Sequence, residues 1–395
     1  MTISKKMRTF SDNSSWIRKM FEEGARLKAR YGDDQVFDFS LGNPDVPPPA
    51  RLREIMLKMA ADETPGRHSY MPNNGLPFVR EAIAKRMSKE QDITVDPSHM
   101  LITCGAAGAL NVTLKALLDP GDEVLFLAPY FVEYHFYVDN NGGIGKAVQT
   151  DDAFNIDLDA IEKALSEKTK AIIINSPNNP TGQVYTEEAI RGLGSLLESA
   201  GKRFGTTIYL LADEPYRKII FDGLSVPSIF KNVRNAIVLS SFSKDLSLPG
   251  ERIGYLAVHP EADDRDALVE VMALANRILG FVNAPAFMQR VVAELQETMV
   301  DNSIYLKRRN IFCSILEEAG YEFTMPKGAF YLFPKTPIAD DVLFCSYLQE
   351  QRILAVPGRG FGTPGYIRLA FCVHEDVISR SADGFSAAMK RACSA

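Results

Sequence analysis

The 395-residue sequence has no long apolar run, no block of like charge and no closely paired cysteines, and each absence removes a class of function. No stretch approaches the ~20 apolar residues of a membrane span. The opening MTISKKMRTFSDNSS is basic, yet no apolar segment of signal-peptide length follows it, so insertion and secretion are both disfavoured. Lys and Arg are spread along a chain of formal charge -6, which argues against nucleic acid or an anionic membrane as the main partner. The five cysteines (Cys104, Cys313, Cys345, Cys372, Cys393) are odd in number, far apart and without CxxC spacing, and so read as reduced thiols of a cytoplasmic protein. The five histidines (His68, His99, His135, His259, His374) lack metal-ligand spacing. There is no GxxxxGK[ST] phosphate loop, no internal repeat and no low-complexity tract.

What is present is apolar strand material. With 46% hydrophobic and 24% charged residues, the chain can bury one large core and a second, smaller one. Short runs of Val, Ile and Leu recur as MLIT (100–103), VLFL (124–127), AIIIN (171–175), IYLLAD (208–213) and AIVLSS (236–241). They lack polar alternation, which suits strands covered on both faces. Helix-patterned segments lie between them, at Ala106 to Leu118, Asp159 to Ser166 and Thr186 to Ala200. The pattern predicts an α/β fold with a mainly parallel, doubly wound sheet. An amphipathic helix is expected over Ser11 to Tyr31, ahead of the turn-rich LGNPDVPPP (41–49). Residues 1–45 and 291–395 read as one smaller α+β domain, and 46–290 as the large one. GFGTPG (360–365) formally fits GxGxxG, but it precedes the strand-like YIRLAF and contains Pro364, so it reads as a loop.

In open parallel sheets, ligands bind beyond the carboxyl ends of the strands, and here each run ends in polar or glycine residues. The ends are TCGAAG (103–108), APYF (128–131), NSPNNPTG (175–182), ADEPY (212–216) and SSFSK (240–244), which would converge on one crevice. Gly105, Ala106 and Ala107 open a helix whose free N–H groups attract an anion. Ser241, Ser243 and Arg252 add hydroxyl and guanidinium donors, a set suited to a phosphate monoester. Asp213, at the end of an apolar strand, needs a positive partner such as a protonated ring nitrogen. Lys244, desolvated beside an arginine, suits an amine nucleophile or base. A Schiff-base lysine, a carboxylate for a pyridinium nitrogen and a phosphate cup together describe pyridoxal 5'-phosphate chemistry.

These residues resemble the class I/II pyridoxal-phosphate aminotransferases of fold type I, the aspartate aminotransferase-like family, over nearly the whole chain. The motif SxSKxxxxxGxR is matched by Ser241, Ser243, Lys244, Gly250 and Arg252. In NPTG, Asn179 matches the asparagine that bonds the cofactor's phenolic oxygen. In DxxY, Asp213 and Tyr216 match the pyridinium partner and a second phenolic-oxygen donor. The resemblance implies a seven-stranded sheet in the large domain, a ring-stacking aromatic at Phe131 with Tyr130 as its competitor, and an α-carboxylate arginine at Arg368 assisted by the Gly42 N–H. It also implies a homodimer, in which Tyr70 of YxxxxG reaches the phosphate in the other subunit. Two departures stand out: the phosphate turn has Ala106, Ala107 and Gly108 in place of polar residues, and only Arg277, which matches no motif, lies where some aspartate enzymes place an arginine for the second carboxylate.

Each residue also has a plainer reading. Lys244 alone would be a solvated lysine, Asp213 a helix cap, Asn179 a turn residue, Arg368 half of an ion pair, and Tyr70, Tyr130 or Phe131 packing. Their joint occurrence favours an enzyme that moves an amino group from an L-amino acid to a 2-oxo acid, with aspartate and 2-oxoglutarate as the first expectation. The nearest rival is a carbon–sulfur β-lyase or related elimination enzyme on the same site. A cofactor-sensing regulator fused to a DNA-binding module is disfavoured, because the motifs begin by residue 41 of 395.

Overall fold

The computed structural model describes residues 2–12 and 16–394. Its centre is a seven-stranded sheet of β1 (Met100–Thr103), β2 (Glu123–Ala128), β3 (Ile144–Gln149), β4 (Thr169–Asn175), β5 (Tyr209–Asp213), β6 (Ala236–Ser241) and β7 (Gly254–Val258). The spatial order is β1-β7-β6-β5-β4-β2-β3, and only β7 is antiparallel to its neighbours. The five apolar runs read from the sequence are all strands of this sheet. β3 escaped that reading because it lies at the sheet edge, where only Val148 is buried. β7 escaped it because GYLAV follows directly on the lysine and arginine motif.

Both faces of the sheet are covered, which is why the strands carry no polar alternation. Leu101, Phe126, Ile173, Leu211, Ile237 and Leu256 face one layer, with helices Gly105–Leu117 and Arg265–Ile278 packed over them. Ile102, Leu125, Ile172, Leu210, Val238 and Ala257 face the other, under helices Pro77–Gln91 and Glu187–Phe204. Helix Glu187–Phe204 begins where the Thr186 hydroxyl accepts the Ala189 N–H, and it ends at Gly205 in the left-handed conformation.

A second core joins Phe39 and Val46 to Phe312, Leu316, Phe330, Phe344 and Phe385. There Phe37–Asp38 pairs in parallel with Ile353–Leu354, so the chain's early residues lie against its late ones. Strands Val356–Pro357, Ile367–Ala370 and Tyr331–Leu332 form a small antiparallel sheet. Where one helix over Ser11–Tyr31 is expected, two occur, Lys5–Asp12 and Trp16–Tyr31, with residues 13–15 outside the described set. The first docks on helix Glu133–Asn140, through Lys6 to Asp139 at 2.5 Å and Phe10 against Phe136 at 4.9 Å. Residues 358–361 form a short 3-10 turn before the strand at 367, as a loop reading requires. Among the described residues no helix is long and apolar enough to cross a membrane, and no cluster of His, Cys, Asp and Glu could hold a metal.

Candidate active site

The carboxyl ends of β1, β4, β5 and β6 open on a cavity of about 280 Å³. Gly42, Ala106, Ala107, Phe131, Asn179, Asp213, Tyr216, Ser241, Ser243, Lys244, Arg252 and Arg368 all line it. Gly105 stands just behind: its φ of +73° is a glycine conformation, and a Cβ there would lie 2.8 Å from an Arg252 nitrogen. Three expected or weighed residues lie elsewhere. Tyr130 does not line the cavity: its hydroxyl bonds His135 Nε2 at 2.9 Å, and its ring packs on Phe126 and against Gly362. Tyr70 is 93% exposed, beside Phe281 and Val282, and outside the cavity. Arg277 is exposed near the end of helix Arg265–Ile278 and also lies outside it.

The local folding that sets these positions starts at Asn175. Its amide donates to the Asp213 carbonyl at 2.7 Å and its oxygen accepts the Asn179 N–H at 2.7 Å, which folds NSPNNPTG back over the sheet edge. Asn178 closes the turn by accepting from the Thr181 N–H and hydroxyl. Asn179 is thereby presented to the cavity, where its Oδ1 accepts from Arg368 Nη1 at 3.1 Å.

Arg368 is 2% exposed, and a second bond runs from its Nη2 to the Ser40 carbonyl. Its guanidinium lies between the Tyr331 and Phe361 rings, 4.8 Å from each centroid. Its Nε is buried without a partner. Burial lowers its pKa, with the Tyr331 and Tyr216 hydroxyls opposing, and a guanidinium stays charged under such a shift. The result is a fixed, planar cation with unused donor capacity, the geometry that favours a carboxylate.

Asp213 is buried at the end of β5. Its Oδ2 accepts the Tyr134 hydroxyl at 2.6 Å, while Oδ1 is buried with no partner. Desolvation raises its pKa to about 6, against the bond from Tyr134. Lys244 donates from Nζ to the Gly42 carbonyl at 2.8 Å, with Nζ 5.6 Å from the Phe330 ring and 5.9 Å from that of Tyr216. Burial pulls its pKa down to about 8; beyond that, the Cys372 thiol opposes and Arg368 and Arg252 assist. A cation and an anion whose charged forms are both disfavoured by burial therefore line one space.

Arg252, which lines the same cavity, sits in the left-handed region at φ +52°, held by Nη1 to the Pro249 carbonyl at 2.8 Å. The helix at Gly105 and the Ser241 and Ser243 hydroxyls complete a donor cradle. The residues fit pyridoxal 5'-phosphate on the strength of the partnerless Asp213 oxygen, which suits a protonated ring nitrogen, and this cradle, which suits a phosphate. Four further residues belong to the site and were not read from the sequence: Tyr134, Tyr137, Asn175 and Tyr331. For Tyr134 the only signal is a position three residues past Phe131 in a helix that starts at the strand end.

A doubly wound sheet with this lysine, carboxylate and donor cradle at its strand ends is that of a fold type I transferase. The chain belongs to the aminotransferases of class I and II, whose family model matches residues 34–384. Enzymes of that family use pyridoxal 5'-phosphate. The chain is 35% identical to a probable aspartate aminotransferase of Methanocaldococcus jannaschii, over 86% of this chain and 90% of that one. It is 33% identical to an aspartate aminotransferase of Thermotoga maritima, over 93% and 95%. A solved aminotransferase from Eubacterium rectale superposes with a TM-score of 0.96 at 37% identity, covering 99% of both chains.

Proposed function

We propose that the protein moves the α-amino group of an L-amino acid, aspartate first, to a 2-oxo acid such as 2-oxoglutarate, using pyridoxal 5'-phosphate held in the 280 Å³ cavity. The observation that carries this reading is the pairing, in one cavity, of a buried amine at Lys244 with a buried carboxylate oxygen at Asp213 that has no partner. The names of the Methanocaldococcus and Thermotoga relatives support aspartate as donor.

The cofactor's phosphate would rest on the Ala106 and Ala107 N–H groups, Ser241, Ser243 and Arg252. Asp213 would meet its ring nitrogen, Asn179 and Tyr216 its phenolic oxygen, and Phe131 its face. When bound, the cofactor supplies a carbonyl carbon for the amine and an electron-withdrawing ring that accepts the charge left on the α-carbon. Arg368 grips the α-carboxylate through the donor capacity its present bonds leave free. That grip holds the α-hydrogen within reach of Lys244. Lys244 Nζ would take that proton, leaving the C–H electron pair on the α-carbon, and would return it to the carbon that carries the amino group after transfer. With a pKa of about 8 it is neutral in part of the population near pH 7, as a general base requires. Asp213, as an anion, keeps the proton on the ring nitrogen.

The reading extends to a homodimer in which Tyr70 of one protomer enters the other's cavity, supported by an aromatic ring left 93% exposed. Residues 1–45 with 291–395 would act as the smaller domain and 46–290 as the larger. The five cysteines, all free thiols, suit the cytoplasm. The test is a spectrophotometric half-reaction screen of amino acids with the holoenzyme. Aspartate should convert the visible band and release a 2-oxo acid, and Lys244→Ala should do neither. Ammonia and pyruvate formed from cystathionine with no 2-oxo acid present would instead establish an elimination enzyme.

A further inference from the structure

Tyr331 lies on the short strand Tyr331–Leu332, paired with Ile367–Ala370, and is 2% exposed. It touches three residues of the cavity at once. Its hydroxyl is 2.8 Å from that of Tyr216, its ring face is 4.8 Å from the Arg368 guanidinium, and a Cβ at Gly42 would land on its oxygen.

We propose that Tyr331 is a positioning residue for amino transfer: its hydroxyl donates to the Tyr216 oxygen and so aims the Tyr216 proton at the phenolic oxygen of the bound cofactor. This rests on the reading of the site given above. Two hydroxyls 2.8 Å apart share one proton in their bond and leave the other for a different acceptor. Among the described residues the Tyr331 hydroxyl has no other hydrogen-bond partner, and the Gly42 backbone covers it on one side. With the cofactor's phenolic oxygen as a second acceptor for Tyr216, the shared proton would be that of Tyr331, which has no other acceptor, and the Tyr216 proton would face the cavity. A hydroxyl that accepts one bond donates a second more strongly, by roughly 10–30% per bond. Tyr216 would then hold the phenolic oxygen in its anionic form better than a lone tyrosine.

The ring of Tyr331 has a separate task. Like Phe361, it packs against the Arg368 guanidinium, with each ring centroid 4.8 Å away. The two tasks separate by mutation, because Tyr331→Phe keeps the ring and the buried volume and removes only the hydroxyl.

The test is a pH titration of the visible absorbance of the holoenzyme, which reports the proton shared between the Lys244 nitrogen and the phenolic oxygen. Tyr331→Phe should raise the midpoint by about 0.1 to 0.7 unit, which is 10–30% of a hydrogen bond to a charged oxygen. It should leave KM for the amino acid within about twofold. Tyr331→Leu should shift the midpoint equally and also raise KM by roughly tenfold, since Arg368 loses one of its two ring faces. The double variant Tyr216→Phe/Tyr331→Phe should titrate with Tyr216→Phe alone, because Tyr331 acts only through Tyr216. A Tyr331→Phe midpoint equal to that of the unaltered enzyme, or additive shifts in the double variant, overturns the proposal while leaving the site reading intact. An unaltered protein with no pH-dependent visible band overturns both.

Discussion

Asp213 carries opposite consequences for stability and for catalysis, and Asp213→Asn separates them. In the cofactor-free protein, desolvation raises the carboxyl from its usual 3.8 to about 6. A raised carboxyl stabilises the folded state fully only below the unfolded value, and that contribution is lost as pH rises through the folded one. The lost stability should therefore appear between about pH 4 and 6. A shift of about two units corresponds to roughly 3 kcal/mol at 1.36 kcal/mol per unit. The substituted asparagine would still accept the Tyr134 hydroxyl, but its amide would stand where Oδ1 has no partner. An unsatisfied buried donor costs about 1 kcal/mol or more. The net expectation is an apo variant more stable than the unaltered protein by up to about 2 kcal/mol at pH 8, with the advantage gone near pH 4.

The assay is thermal unfolding of the apo forms at half-unit steps from pH 4 to 8, read as the difference between variant and unaltered protein. The difference removes most of the background from Glu214, raised to about 7 by burial against the pull of Arg217; the small further rise that the Asp213 charge adds is present only in the unaltered protein. The same variant should lose at least a hundredfold in amino transfer, since a neutral amide cannot hold a proton on the ring nitrogen. An apo Asp213→Asn protein less stable than the unaltered one at pH 8, or one retaining activity within tenfold, would refute the assignment of this carboxylate to a cationic partner.

Arg368→Gln should raise KM for the amino donor by about a hundredfold or more while sparing the absorbance of the bound cofactor, since a charge-assisted bidentate grip is worth roughly 3 kcal/mol. Steady-state kinetics beside a spectrum check this. Gly105→Ala places a methyl 2.8 Å from an Arg252 nitrogen at a φ that alanine resists; the expected result is weaker cofactor retention on dialysis, by tenfold or more, with a fold intact by circular dichroism. Arg308→Ala removes the bidentate pair to Asp45 at 2.5 and 3.0 Å, which holds the loop carrying Gly42. It should cost about 1 kcal/mol in unfolding free energy, because the Asp45 carboxylate left behind is exposed to water, and chemical denaturation measures it.

The sheet was legible because burial on both faces leaves an unbroken mark: five Val, Ile and Leu runs, each ending in polar residues, are five strands opening on one edge. Residues that meet the cavity from those ends were legible for the same reason, since Asp213, Ser241, Ser243 and Lys244 are fixed by where a strand stops. The edge strand β3 and the antiparallel β7 carry no such mark, as one is half solvated and the other follows on a functional segment. The Ser11–Tyr31 helix went astray because a helical pattern shows a face but not an interruption in it.

What the sequence hid is the layer behind the motifs. Tyr134 meets Asp213 across 79 positions, Tyr331 meets Tyr216 across 115, and Arg368 meets Asn179 across 189. No local spacing encodes such contacts, and a tyrosine in an aromatic run reads as packing until its hydroxyl is seen to have a partner. Yet these contacts decide the state of the groups they touch. Tyr134 satisfies one oxygen of Asp213 and leaves the other open, and Tyr331 takes up one hydrogen bond of the Tyr216 hydroxyl and leaves it capacity for a second. In both cases a buried hydroxyl occupies half of a neighbour's bonding capacity. The unfilled half of each faces the same cavity, and that shared direction is what turns a collection of buried polar groups into a site for one ligand.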